Sequence, residues 1–233
     1  MKRYLKRMAV MIVFAVALVA IVGMATNSFG NDPYLRDNMV IVENIRELGF
    51  ARNRGSGFLY MDGHIMTAGH VTKGAASVKI TYADKTTEIV KKWVSSRYDI
   101  SILHVKRKCE QGVVWDTRNL AVGSVVYTQG YPFGIPELRL SKGIVSSVEL
   151  NTGIWPIGII VDADVEAGNS GGPLITSTGR VAGLVVGKWG NLTLCVPGRL
   201  LMNFVLNPKG KDHEKSNGSE VNKTSRQGFL PVY

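Results

Sequence analysis

At 233 residues, with 45% apolar and 20% charged residues, the chain can bury one sizeable core but not two independent ones, and it is neither disordered nor many-spanning in composition. Much of its net charge of +10 lies near the ends, in Lys2, Arg3, Lys6 and Arg7 and in Lys209, Lys211, Lys215, Lys223 and Arg226. No basic stripe interleaved with aromatic residues accompanies it, so nucleic acid is not an expected partner.

Residues 1–7 form a basic flank, expected to stay cytoplasmic, before the uninterrupted apolar run MAVMIVFAVALVAIVGMA at 8–25. That run is about long enough to cross a ~30 Å hydrocarbon layer as a helix, and positive-inside logic exports the remainder of the chain. Gly23 and Ala25 also suit a signal-peptidase site, so the segment reads as a membrane anchor or a cleaved signal sequence. Its length favours the anchor.

Residues 26–37, TNSFGNDPYLRD, read as a linker rich in turn formers. From residue 38 to 206 the chain is a string of short β-branched runs: GFLYM, SVKITY, DISILHV, SVVYTQGY, GIVSSV, GIIVDADV, PLIT, RVAGLVV and NLTLCV. Close spacing and Gly, Pro, Asp or Asn punctuation predict an all-β sandwich or barrel. Only GRLLMNFVL, 198–206, reads as a helix, and the polar tail 207–233 is expected to be disordered except at FLPVY.

Three short segments carry the chemistry. Gly168-Asn169-Ser170-Gly171-Gly172-Pro173 sets one serine among glycines, where backbone amides can converge on an oxyanion. The donors are expected from Gly168, Asn169 and Ser170, chiefly the amides of Gly168 and Ser170. His70, in Thr67-Ala68-Gly69-His70, is the side chain able to take the serine proton near neutral pH. Asp99 heads the apolar stretch Ile100-Ser101-Ile102-Leu103 and suits the carboxylate that orients the imidazole. Each signal is weak alone; in this order and spacing they are strong together.

GSGFLYMDGHIMTAGHV, YDISILHV and VEAGNSGGPLI resemble the His, Asp and Ser blocks of trypsin-like serine peptidases, nearest the HtrA/Deg branch. The resemblance spans 38–206 and implies a chymotrypsin-like fold of two antiparallel six-stranded barrels with a short C-terminal helix, here preceded by an N-terminal apolar helix. His70 and Asp99 would come from the first barrel and Ser170 from the second. Asn169 stands where trypsin-like digestive enzymes carry the Asp that receives a new N-terminus, so activation by that ion pair is not expected. The PDZ domains usual in HtrA-type enzymes have no counterpart in the residues after the helix.

The same resemblance puts Asp164, Val165 and Glu166 on one wall of the primary specificity pocket and Val186, Gly187 and Lys188 on the facing strand. Asp164, six residues before Ser170, could select Lys or Arg. Alternatively it pairs with Lys188 while Val186 and its neighbours line a small apolar pocket.

Cys109 and Cys195 are too few and too far apart for a disulfide framework or a paired metal site and read as buried thiols, with Cys195 in the core. His64 is expected in a hairpin turn and His104 in the strand after Asp99; neither has partners spaced as metal ligands. No metal or other cofactor is expected. The expected function is a serine endopeptidase acting on unfolded or extracytoplasmic protein, exported and membrane-anchored, or secreted if the first segment is cleaved. The alternatives are a narrow-specificity self-processing or polyprotein peptidase and a tethered peptide-binding module. Trimeric association follows only by analogy with HtrA-type enzymes.

Overall fold

The computed structural model describes residues 35–47, 51–148 and 158–208, together with the backbone of 213–214. The basic flank, the apolar segment 8–25, most of the linker and most of the tail lie outside the described residues. Among the described residues no helix is long and apolar enough to cross a membrane.

A 3₁₀ turn, Arg36–Asn38, leads into the first half of the fold: β1 (Met39–Ile45), β2 (Ala51–Met61), β3 (His64–Ala68), α1 (Gly69–Thr72), β4 (Ser77–Tyr82), β5 (Thr87–Val90), β6 (Trp93–Ser96) and β7 (Ile100–His104). The second half comprises β8 (Val125–Gly130), a turn at Pro132–Gly134, β9 (Arg139–Ser147), β10 (Ile159–Val161), β11 (Pro173–Thr176), β12 (Val181–Trp189), β13 (Leu192–Pro197) and α2 (Gly198–Leu206). β14 (His213–Glu214) returns from the tail to pair with Ser96 and Ser95 of β6.

The strand pattern follows side-chain alternation. In β4, Val78, Ile80 and Tyr82 are buried while Ser77, Lys79 and Thr81 are half-buried, the period of two that lays one face on a core. β1 is buried almost throughout, because it is flanked by β2 and β4 and its polar groups are matched: Arg54 Nε and Lys79 Nζ reach Glu43 at 2.9 and 3.1 Å.

The second half closes as a barrel in the order β10-β13-β12-β11-β8-β9. The first half is a sheet in the order β14-β6-β7-β3-β2-β1-β4-β5. β5 lies at one edge and β6 near the other, yet only Lys91 and Lys92 separate them, so the sheet must curl round on itself. A bend in the chain closes it where a hydrogen-bonded ladder closes the other half. The double-barrel architecture expected from the sequence is thus the one observed, with this difference in closure.

The linker between the halves zips onto both. Trp115 packs on Phe58 and Tyr60, with ring centroids 6.3 and 5.9 Å away. On the other side Val181 N–H donates to Val114 O and Asp116 N–H to Val181 O, both at 2.8 Å. Leu201 and Phe204 of α2 are buried three residues apart, on one face of the helix. The main cluster of buried side chains runs from the first sheet into β12, β13 and α2, while a smaller one fills the closed barrel.

Helix 198–206 has the expected bounds. β1, β3, β5 and β6 were not among the expected runs, and α1 adds a helical turn at His70. His64 is the first residue of β3 and not a turn residue, because Asp62-Gly63 alone makes the turn and Gly63 has φ +70°. Its ring meets that of His104 across the β3–β7 pair at 5.0 Å. Cys195 is buried as expected; Cys109 is only half-buried, since it lies in the loop after β7, where its thiol donates to Gln111 O at 3.0 Å.

Asp116, 3% exposed, accepts from Arg118 N, Nε and Nη2 at 3.1, 2.9 and 2.7 Å. Those Arg118 bonds hold the carboxylate below its ordinary range. Its stabilising contribution is therefore present above the unfolded-state value of about 3.9 and is lost as pH falls through the lower folded value. Asp116→Asn is expected to cost about 1–2 kcal/mol at pH 7 in urea unfolding, the gap from the parent chain closing below about pH 4.

Candidate active site

β3 ends at Ala68, and α1 then turns His70 toward the loop that precedes β7. The turn is pinned from below: Asn44 Nδ2 donates to Val71 O and Lys73 O at 3.0 and 3.1 Å. Thr72 Oγ1 donates to Gly69 O at 3.0 Å and lies 2.7 Å from Ser101 Oγ.

Asp99 grips this turn at three points. Its Oδ2 is 2.7 Å from His70 Nδ1, its Oδ1 accepts the His70 amide at 2.6 Å, and its own carbonyl accepts the Gly69 amide at 2.9 Å. With Nδ1 donating to a carboxylate, Nε2 is left as the basic nitrogen. Asp99 has φ +61°, a left-handed conformation that Asp adopts more readily than most residues and that commonly marks functional sites. A side chain on Gly69 would be a tight fit, since a Cβ would lie 3.0 Å from Asp99 Oδ1 and the carboxylate would have to give way.

Ser170 arrives from the other half. Its carbonyl accepts the Ser56 amide of β2 at 2.8 Å. A Cβ on Gly55 would lie 2.6 Å from Val71 Cγ2 and 2.8 Å from Ser170 O, so the residue after His70 and the serine loop meet across that glycine. Gly171, with φ +89°, lets the loop touch Ser56 O and Thr67 Oγ1 directly.

From Glu166 to Ser170 every carbonyl is engaged. Glu166 O accepts Asn169 N–H (3.0 Å), Ala167 O accepts Phe133 N–H (2.5 Å), Asn169 O accepts Gly172 N–H (2.9 Å), and Ser170 O accepts Ser56 N–H. Gly168 O accepts Ser56 Oγ at 2.7 Å. The amides of Gly168 and Ser170 meet no acceptor among the described residues. The Asn169 amide, named with them from the sequence, is spent on Glu166; its side-chain Oδ1 is buried without a partner.

The specificity candidates fall into two groups. Lys188 Nζ lies 3.1 Å from Asp164 Oδ1, 2.9 Å from Val165 O and 3.4 Å from Glu166 Oε1, tying β12 to the opposite wall. The bond to Asp164 holds the Lys188 ammonium above its ordinary range. Asp164 itself points outward, its side chain 78% exposed. Val165 is buried in the closed barrel's cluster and Val186 in the main cluster, while Gly187 is half-buried. Cys195 is no nucleophile: burial pushes its thiol far up, which keeps it protonated. Among the described residues no cluster of three or more His, Cys, Asp or Glu could hold a metal ion. Ser56 and Phe133 escaped the sequence reading as site residues; the GSG and PFG contexts were their only local signals.

This architecture, a closed barrel joined to a curled sheet with the histidine on one half and the serine on the other, is the chymotrypsin-like fold of serine endopeptidases. The family model described as trypsin-like peptidase domain matches residues 55–184, more than half of the chain, and the chain belongs to that family. A probable periplasmic serine endoprotease DegP-like from Pseudomonas putida strain W619 is 32% identical over 197 residues, which cover 77% of this chain and 40% of that protein. Protease Do-like 1, chloroplastic, from Arabidopsis thaliana is 34% identical over 141 residues, covering 56% and 32%. The chain thus spans less than half the length of these relatives. Among solved structures, the HtrA-type protease AlgW with tripeptide superimposes with a TM-score of 0.66 at 19% identity, covering 77% of this chain and 62% of that one. The active form of the Rv3671c protease from M. tuberculosis gives 0.62 at 22% identity, covering 73% and 80%.

Asp99→Asn puts an NH2 donor in place of one of the two oxygens that accept from His70 N and Nδ1, without removing volume. It is expected to lower kcat by about 10⁴-fold with little change in KM, as measured on a fluorogenic protein substrate.

Proposed function

We propose that the chain is an exported serine endopeptidase in which Ser170 is the nucleophile, His70 the general base and Asp99 the orienting carboxylate. The observation that carries this reading is the three-point grip of Asp99 on Gly69 and His70, which commits Nδ1 and leaves Nε2 to receive a proton. Ser170 Oγ makes no hydrogen bond to His70 in this geometry; such pairs commonly close with substrate in place. Ser170 Oγ attacks the scissile carbonyl carbon and its proton passes to His70 Nε2. The tetrahedral oxyanion lies against the Gly168 and Ser170 amides. His70 then gives the proton to the leaving amine, and water, activated by the same nitrogen, hydrolyses the acyl-enzyme. Asp99 stabilises the imidazolium that forms.

The substrate class is unfolded or extracytoplasmic protein, bound as an added strand along the 186–188 end of β12, beyond its pairing with β11. Export rests on the basic flank and apolar run of residues 1–25 and agrees with the word periplasmic in the names of DegP-like relatives. The run 8–25 serves as tether if it is retained.

A fluorophosphonate probe is expected to label the chain, and Ser170→Ala to abolish labelling and casein degradation together. Labelling that survives Ser170→Ala overturns the assignment.

Because Lys188 neutralises Asp164, the primary pocket is read as apolar and not as a site for Lys or Arg. In a peptide-library profile, Asp164→Asn is expected to leave an aliphatic preference unchanged. Loss of a basic preference in that variant counts against this reading.

A further inference from the structure

From Glu166 to Ser170 the serine loop is held by backbone partners at every carbonyl but one. The exception is Gly168 O, whose hydrogen bond comes from the Ser56 side chain at 2.7 Å. Ser56 belongs to β2, in the other half of the molecule, and is fully buried. Its hydroxyl also accepts the Tyr131 amide at 2.8 Å. An amide can only donate and a carbonyl only accept, so the single hydroxyl proton is committed to Gly168 O. The Ser56 backbone is equally committed, its N–H to Ser170 O at 2.8 Å and its carbonyl to Thr67 Oγ1 at 2.7 Å. One residue therefore touches the serine loop at two carbonyls, the turn after β8, and the strand that delivers His70.

We propose that Ser56 is a positioning residue that holds the Gly168 and Ser170 amides convergent by fixing the peptide between Gly168 and Asn169. Without the hydroxyl, Gly168 O loses its donor and that peptide keeps only one hold, the Asn169 N–H on Glu166 O at 3.0 Å, while Gly168, at φ +99°, has no side chain to resist its rotation. The Ala167 carbonyl stays anchored by the Phe133 amide, so rotation would be local and the fold would persist. There is no spare room beside the hydroxyl: a Cβ on Gly130 would lie 2.9 Å from Ser56 Oγ and 2.7 Å from Asn169 Oδ1. Because the donor sits on the first sheet and the acceptor on the second-half loop, the oxyanion site is complete only when the two halves are docked.

This inference rests on the serine-peptidase reading, and the experiment separates the two. The full chain and its Ser56→Ala variant are compared on fluorogenic casein for kcat and KM, and by the downfield proton resonance of the His70 Nδ1–H···Asp99 bond. The expected result is a fall in kcat of about 10²–10³-fold, KM within about 3-fold of the parent, and an unchanged His70 resonance, the pattern of a lost transition-state interaction. Ser56→Cys keeps a weaker donor on a somewhat larger atom; it is expected to lose about 10-fold in kcat with the same split, and it stands in if the alanine form does not accumulate folded. A parent chain that turns over casein while the variants keep kcat within about 3-fold, or lose efficiency through KM alone, overturns the role of Ser56. A parent chain that fluorophosphonate does not label overturns the peptidase reading and this role with it.

Discussion

The geometry of the site depends on one close approach of backbone to backbone, where the Gly55-Ser56-Gly57 stretch of β2 meets the Gly168–Gly172 loop. Ser56 N–H donates to Ser170 O, and Gly171 touches Ser56 O and Thr67 Oγ1 with no side chain between them. Any Cβ at Gly55 or Gly171 would push the halves apart, which is why small residues line both sides of the seam. The seam gains strength from its surroundings: Trp115 on Phe58 and Tyr60, the paired amides of Val181 and Asp116, and the main buried cluster running through both halves.

On that frame the two side chains proposed to react are held by different means. His70 is oriented by a carboxylate, through bonds to side chain and backbone alike, and its short helix rests on Asn44, Thr72 and Ser101. Ser170 is oriented by its loop, whose carbonyls from Glu166 to Ser170 are all occupied while the Gly168 and Ser170 amides meet no acceptor among the described residues. Left-handed backbone at Asp99, Phe133, Gly168 and Gly171 gathers around this point, as expected where a site is built from turns braced by rigid strands.

The fold was legible wherever side-chain alternation was strong. β4 and β11 follow the expected runs SVKITY and PLIT, and the helix 198–206 has the expected bounds. Less legible were β1, whose buried Glu43 and Asn44 break an apolar pattern, and β5 and β6, short strands beside a bend of the curled sheet. The polar residues of β1 tolerate burial only through partners distant in sequence, Lys79 for Glu43 and Val71 and Lys73 for Asn44, which no local pattern reveals.

By itself the sequence determined the residue types and their order: a histidine after Thr-Ala-Gly, an aspartate at the head of an apolar stretch, and a serine among glycines. These follow from chemistry, since few side chains can serve as nucleophile, base and orienter, and from the permissiveness of glycine. Tertiary structure alone decided that Lys188 reaches Asp164, that the Asn169 amide is consumed internally, and that Ser56 lies under Gly168. The first and last of these contacts join residues 24 and 112 positions apart in sequence, and the second turns on which way one peptide faces. Hydrogen bonds act over about 3 Å in space whatever the separation along the chain.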